Sequence, residues 1–320
     1  MDAQKQLGWE TESGGGGGNF LRTAMFRWKA DLLHFHWLHP YIVRDSRPGT
    51  CFRGLRFFFE LLLLRISGQR LIWTMHNIHG HDAKFPQLEL FFRRIAVSLF
   101  HKVLCHSEAA KAAAIDLFGK RAERFVVVPH PNFIDFYPGD IESRKARSKL
   151  GVGDNDFVFV FFGRVAKYKG IEDLISAFRK IEGKQYQLVI AGSPSSESYA
   201  NELTELANDE RIVLKLDRIG DDEIQFFMKA ADVVALPFRK ILTSGSVILA
   251  MGFGKPVIAP QDGGMTEILA ESPLLFSSGG LDRAMVWATE NRESLARDGM
   301  RNFEQVANWT WGQLAKECLA

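Results

Sequence analysis

The chain has 320 residues, 46% hydrophobic and 24% charged, with 40 Lys and Arg against 38 Asp and Glu, a net charge of +2. That length and apolar content suit two globular cores, and near-neutrality excludes a nucleic-acid binder driven by bulk charge. Three scattered cysteines, Cys51, Cys105 and Cys318, exclude a disulfide frame or a cysteine metal site and fit a reducing cytoplasm.

The charge is uneven. Residues 1–140 carry 18 Lys and Arg against 13 Asp and Glu (+5), and residues 141–320 carry 22 against 25 (−3). The basic half is therefore suited to touching anionic lipid.

In chain order, Gly14–Gly18 reads as a flexible loop and Asn19–Lys29 as a short helix. Apolar runs over 31–37, 69–75, 102–105 and 125–128 read as strands, separated by helices near 50–66, 86–100 and 107–118. Such alternation predicts a parallel, doubly wound sheet. Residues 52–66 form the greasiest window, but Arg56, Glu60 and Arg65 interrupt it and it falls short of a membrane span. It is either a helix packed on the sheet or a basic amphipathic helix lying on a membrane, and exposed Phe and Leu would distinguish the two.

Histidines gather at the strand ends: His34, His36 and His39, then His76-Asn77-Ile78-His79-Gly80-His81-Asp82. Ligand crevices of doubly wound folds lie beyond the carboxyl ends of the strands. A neutral imidazole there can hydrogen-bond a sugar hydroxyl or act as a base near pH 7. His76, directly after its strand, is the first catalytic candidate, with Asp82 beside it. His39, Asn77, His130 and Asn132 are candidates to line the crevice. A purely structural role stays open for each histidine. A metal site is the competing reading, but no carboxylate pair or cysteine completes a ligand set.

Asp140–Leu150, charged and poor in apolar residues, reads as the connector between halves. Phe157–Phe162 then reads as a buried strand running into Gly163-Arg164-Val-Ala-Lys-Tyr-Lys169-Gly170 and a helix over 171–181. Arg164 and Lys169 supply a planar fork and a point charge at one strand-to-helix turn. Further on, Thr243-Ser244-Gly245-Ser246 lies between an apolar strand at 232–238 and a short helix at 247–253. Small residues let backbone amides approach an anion, and the helix N-terminus favours negative charge. Together these segments read as a diphosphate cradle.

Several motifs, in order, carry a resemblance. They are Gly163-Arg164-x4-Lys169-Gly170, Ala177-Phe178, Gln187–Gly192, Ala230–Pro237, Ala250-Met251-x2-Gly254-x-Pro256, and Gly263-Gly264-x2-Glu267. Over residues 155–270 the chain resembles the GT-B nucleotide-sugar glycosyltransferases related to family 4. The resemblance implies two facing Rossmann-like domains, residues 1–140 on the acceptor side and 141–305 binding the nucleotide sugar, with 306–320 as a helix crossing back to the first. It also implies donor diphosphate binding by Gly163, Arg164, Lys169 and residues 243–246, with Glu267 lining the crevice. No cofactor and no metal are expected.

The family's two glutamates, eight positions apart, are replaced here by Ile241 and Leu249. The Thr-Ser-Gly-Ser loop and the His-Asn and His-Pro-Asn segments look closer to a bacterial exopolysaccharide β-mannosyltransferase branch. The same comparison suggests that the first strand of the N-terminal sheet is missing. The implied activity is hexosyl transfer from a nucleotide diphosphate sugar to a glycan or lipid-linked acceptor, in the cytoplasm or at the inner face of a membrane. A catalytically degenerate subunit that only binds is the alternative.

Overall fold

The computed structural model describes residues 8–11, 30–77, 84–119, 122–239 and 241–320. The Gly14–Gly18 loop, the 19–29 helix and the candidates His79, His81 and Asp82 lie outside them.

The described chain divides into two compact units, one running to Pro129 and including Trp311–Ala320, the other His130–Thr310. The division therefore falls ahead of the 140/141 boundary expected from composition. Phe133, Ile134 and Tyr137 pack against the second unit's core, which draws that segment into it.

The first unit holds a four-stranded parallel sheet, β1 (Leu32–Phe35), β2 (Arg70–Thr74), β3 (Lys102–Cys105) and β4 (Phe125–Val127), in that order. Between them run α1 (His39–Ile42), α2 (Arg47–Ile66), α3 (Pro86–Val97) and α4 (Glu108–Phe118). The described strands run in one direction across the sheet without a reversal. Leu71, Ile72, Trp73, Val103 and Leu104 are buried, as expected of strands covered on both faces. The terminal helix (Trp311–Leu319, α13 in the numbering below) groups with this unit through Leu314 and Cys318, which pack with Ile72, Leu104 and Val128. Arg70 donates to Leu319 O at 2.6 Å, and Lys102 pairs with Glu317 at 2.6 Å. The helix expected over 306–320 starts at Trp311, which is 41% exposed, and Val306 and Ala307 end the preceding helix.

The second unit holds a six-stranded parallel sheet of β5 (Phe157–Phe162), β6 (Tyr186–Ala191), β7 (Ile212–Lys215), β8 (Val233–Ala235), β9 (Val257–Pro260) and β10 (Leu275–Phe276), in the order β10-β9-β8-β5-β6-β7. The helices are α5 (Ser143–Leu150), α6 (Ile171–Phe178), α7 (Glu197–Leu206), α8 (Ile224–Ala230), α9 (Gly245–Gly252), α10 (Met265–Ile268), α11 (Leu281–Glu290), α12 (Arg292–Ala307) and, in the first unit, α13. Phe157 to Phe161 of β5 are fully buried.

The expected 140–150 connector is largely helix α5. Its Arg147 is buried, pairs with Asp232 at 2.8 Å, and caps the carbonyls of Gly153, Asp154 and Asp156. A charge with that many tertiary partners looks like a linker residue in sequence.

Candidate active site

The strand order reverses between β5 and β8. From β5 the chain moves outward through β6 and β7, then returns to the other side for β8, β9 and β10. Crevices for ligands form beyond the carboxyl ends of strands at such a switch point. The two segments leaving it are Gly163-Arg164, after β5, and the stretch from Leu236 to Ser246, after β8.

Glycines let these segments close on one another. Gly163 has φ +135°, and a Cβ there would stand 2.7 Å from Ser246 Oγ. A Cβ on Gly192 would overlap Gly163 O, and one on Gly170 would overlap Pro237 O. The end of β5, the entry to α6 and the exit of β8 are thereby packed backbone to backbone.

Four cations stand around this turn, and their pairing separates them. Lys167 bonds Glu202 at 2.9 Å. Arg239 is held by Asp173 at 2.9 Å and Glu172 at 3.2 Å. Arg164 is exposed and Lys169 half-buried, and among the described residues neither has a carboxylate partner. Lys169 Nζ lies 4.1 Å from the centroid of the Phe238 ring, and burial pulls its pKa down from 10.5 to about 8. A desolvated ammonium without a counter-ion is costly on its own and favours an incoming anion.

The 243–246 loop completes the arrangement. Ser244 occupies the N-cap of α9, 5% exposed, yet makes no capping bond. Its Oγ and the Oγ1 of Thr243 are buried, with no hydrogen-bond partner among the described residues. Two hydroxyls held dry at a helix N-terminus offer donors where the dipole already favours an anion. Gly245 points its open side toward His130 and Phe133, each about 4 Å from where a Cβ would sit (4.0 and 3.9 Å). His130 accepts this neighbour as a buried imidazole, its pKa lowered by burial, with Nδ1 2.8 Å from Pro131 O.

Asn132 faces the end of α12: its Nδ2 donates to Val306 O at 2.7 Å and its Oδ1 accepts from Ile134 N at 3.2 Å. That bonding makes it a brace of the 130–134 segment. Glu267 sits exposed on α10, and Leu249, where the family carries a glutamate, is in the core.

In the first unit, His76 joins a histidine cluster at the ends of β1, β2 and β3. His36 Nδ1 and His76 Nε2 are 3.0 Å apart, so one donates and the other accepts. Trp37 stacks on His76 with ring centroids 4.7 Å apart, and His106 lies 5.4 Å away on the other strand end. His34 bonds Thr74 Oγ1 at 2.7 Å, and burial, with His36 and His106 nearby, lowers its pKa to about 3. Asn77 O accepts from Arg93 at 3.1 Å, and His39 stands apart on α1, exposed. His106 was missed in sequence although it follows β3 directly, as His76 nearly follows β2. Among the described residues no group of His, Cys, Asp and Glu could hold a metal ion.

Two parallel-sheet α/β units, each with a loop cluster beyond its strands, are those of the GT-B fold. Residues 142–296 match the family of glycosyl transferases group 1. The chain is 22% identical over 231 residues to a GDP-mannose:glycolipid 4-beta-D-mannosyltransferase of Xanthomonas campestris pv. campestris, covering 72% of this chain and 61% of that protein. Among solved structures, it superposes on the sucrose-phosphate synthase of Thermosynechococcus elongatus with TM-score 0.74 at 17% identity, covering 93% and 74% of the two chains. It is also similar to Anabaena Alr3699/HepE in complex with UDP-glucose, with TM-score 0.72, 22% identity and coverage of 93% and 80%.

Proposed function

We propose that the chain transfers a hexosyl group from a nucleotide diphosphate sugar, GDP- or UDP-linked, to a glycan or lipid-linked acceptor in surface polysaccharide or glycolipid synthesis. The observation that carries this reading is the pairing pattern at the switch point. Among the described residues Arg164 and Lys169 have no carboxylate partner and the buried Thr243 and Ser244 hydroxyls no hydrogen-bond partner, while Lys167 and Arg239 are neutralised. Arg164 would grip the diphosphate as a fork and Lys169 as a point charge, with the amides that open α9 beneath it. As the sugar–phosphate bond breaks, negative charge grows on the leaving diphosphate, and pre-placed cations lower that barrier without a metal. His76, with Asp82, is the proposed proton acceptor or sugar-orienting group. The GDP-mannose relative favours a mannosyl donor, and the work is proposed to be done in the cytoplasm or peripherally at a membrane.

Titration calorimetry with UDP and GDP tests the site. Arg164→Ala and Lys169→Ala should each weaken binding by about 1.5–3 kcal/mol, as for hydrogen bonds to charged groups. Unchanged affinity in both variants would remove the assignment.

A second reading, a subunit that binds donor without turnover, is favoured by one observation: Ile241 and Leu249 stand where the family carries its glutamates. Donor binding with neither transfer nor hydrolysis, across GDP- and UDP-sugars, would select it.

A further inference from the structure

Helix α2 carries large apolar side chains on both of its faces. Phe57, Leu61 and Leu64 are buried in the first unit, while Phe52, Leu55, Phe59, Leu63 and Ile66 are 72, 51, 57, 50 and 74% exposed. Steps of three, four, four and three residues keep those five on one stripe, roughly 21 Å long at the helical rise. From Phe52 to Ile66 the exposed positions are these five and Arg56. A water-facing helix surface is ordinarily polar, and a contiguous apolar strip of this size marks a contact surface.

The charge around the strip says what it fits. The helix holds four arginines (Arg47, Arg53, Arg56, Arg65) and one acid, Glu60, which is 9% exposed and bonded to Arg56 at 2.8 Å. Arg53 and Arg65 are half-buried and bond Pro40 O and Leu99 O, so self-pairing of two such faces would bring the exposed Arg47 and Arg56 of both copies to a surface with no exposed carboxylate on the helix. Anionic headgroups instead complement the cations while the apolar side chains enter the interface. No helix among the described residues is long and apolar enough to cross a membrane.

We propose that the outward face of α2 docks on an anionic lipid bilayer, with the helix axis in the membrane plane and Phe52, Leu55, Phe59, Leu63 and Ile66 inserted at the headgroup boundary. This deepens the peripheral-membrane part of the proposed function and rests on the outward face of α2, not on the donor site.

Co-sedimentation of the whole chain with phosphatidylcholine vesicles, with and without phosphatidylglycerol, tests the surface. Binding should require phosphatidylglycerol and fall with added salt. The double variant Leu55→Ser/Leu63→Ser should lower vesicle partition at least about tenfold, given the transfer free energy of two leucines. Both side chains are half exposed or more, and an unchanged thermal melt would show that the fold is kept. Failure to sediment with anionic vesicles, or partition indifferent to the double substitution, would overturn the proposal. So would a dimer, seen by light scattering, that the same substitution dissolves, since the occupant would then be a second copy. Calorimetry of UDP and GDP on the same variant keeps this result separate from the donor site.

Discussion

Gly163 and Ser246 lie in contact across the switch point: a Cβ on Gly163 would stand 2.7 Å from the Ser246 Oγ. Gly163 holds φ +135°, a conformation that L side chains rarely adopt. The first residue after β5 and the second residue of α9 can therefore share this space only while one of them lacks a side chain.

Gly163→Ala should consequently lower stability by about 1–3 kcal/mol, the usual cost of forcing a side chain into such a backbone region. It should also displace the start of α9 and weaken UDP and GDP binding. Urea denaturation with calorimetry on the same preparation measures both, and an unperturbed variant would mean that the contact is not constraining.

Lys169 sets a pH dependence. Burial lowers its pKa to about 8 in the free protein, and a bound diphosphate raises it again by supplying the missing counter-charge. Affinity should therefore be full below pH 8 and fall as pH rises through 8, approaching about tenfold per unit until the bound-state pKa is passed. Lys169→Arg, charged throughout, should flatten that slope. A flat profile in the parent protein would place Lys169 away from the phosphates.

Ser244→Ala separates a structural hydroxyl from a ligand-binding one. The Oγ is buried, makes no cap and has no partner among the described residues, so its removal should leave the melting temperature unchanged or slightly higher. Loss of one hydrogen bond to the donor should cost about 0.5–1.5 kcal/mol in binding. A stability loss with intact donor affinity would assign the hydroxyl to the fold.

Transfer activity should survive EDTA, because in the proposed site Arg164, Lys169 and the start of α9 would neutralise the diphosphate. Inactivation by chelation, restored by magnesium or manganese, would hand that task to a metal.

Much of the second unit is legible in the chain. The run Phe157–Phe162 and its exit through Gly163 and Arg164 are local signals: an unbroken apolar strand, then a residue with no Cβ. The short helix after residues 243–246 appears where small polar residues precede an apolar run, and the observed α9 begins at Gly245. Hydrophobic periodicity reports burial, and burial is set by a residue's immediate neighbours along an element.

Pairing and orientation were decided only by the tertiary structure. In sequence, the motif singles out Arg164 and Lys169 without saying what becomes of their neighbours; folding brings Glu202 to Lys167 and Asp173 and Glu172 to Arg239, and among the described residues brings no carboxylate to the other two. The amide of Asn132 donates to Val306, 174 positions away, a partner that nothing near Asn132 in sequence announces. His106 enters the histidine cluster because parallel pairing of β2 with β3 brings their ends together. The apolar window at 52–66 divides into a buried face and an outward one only once the sheet and α3 occupy one side of it. Each of these outcomes depends on contacts between residues far apart in sequence, and spacing along the chain does not encode which distant partner arrives.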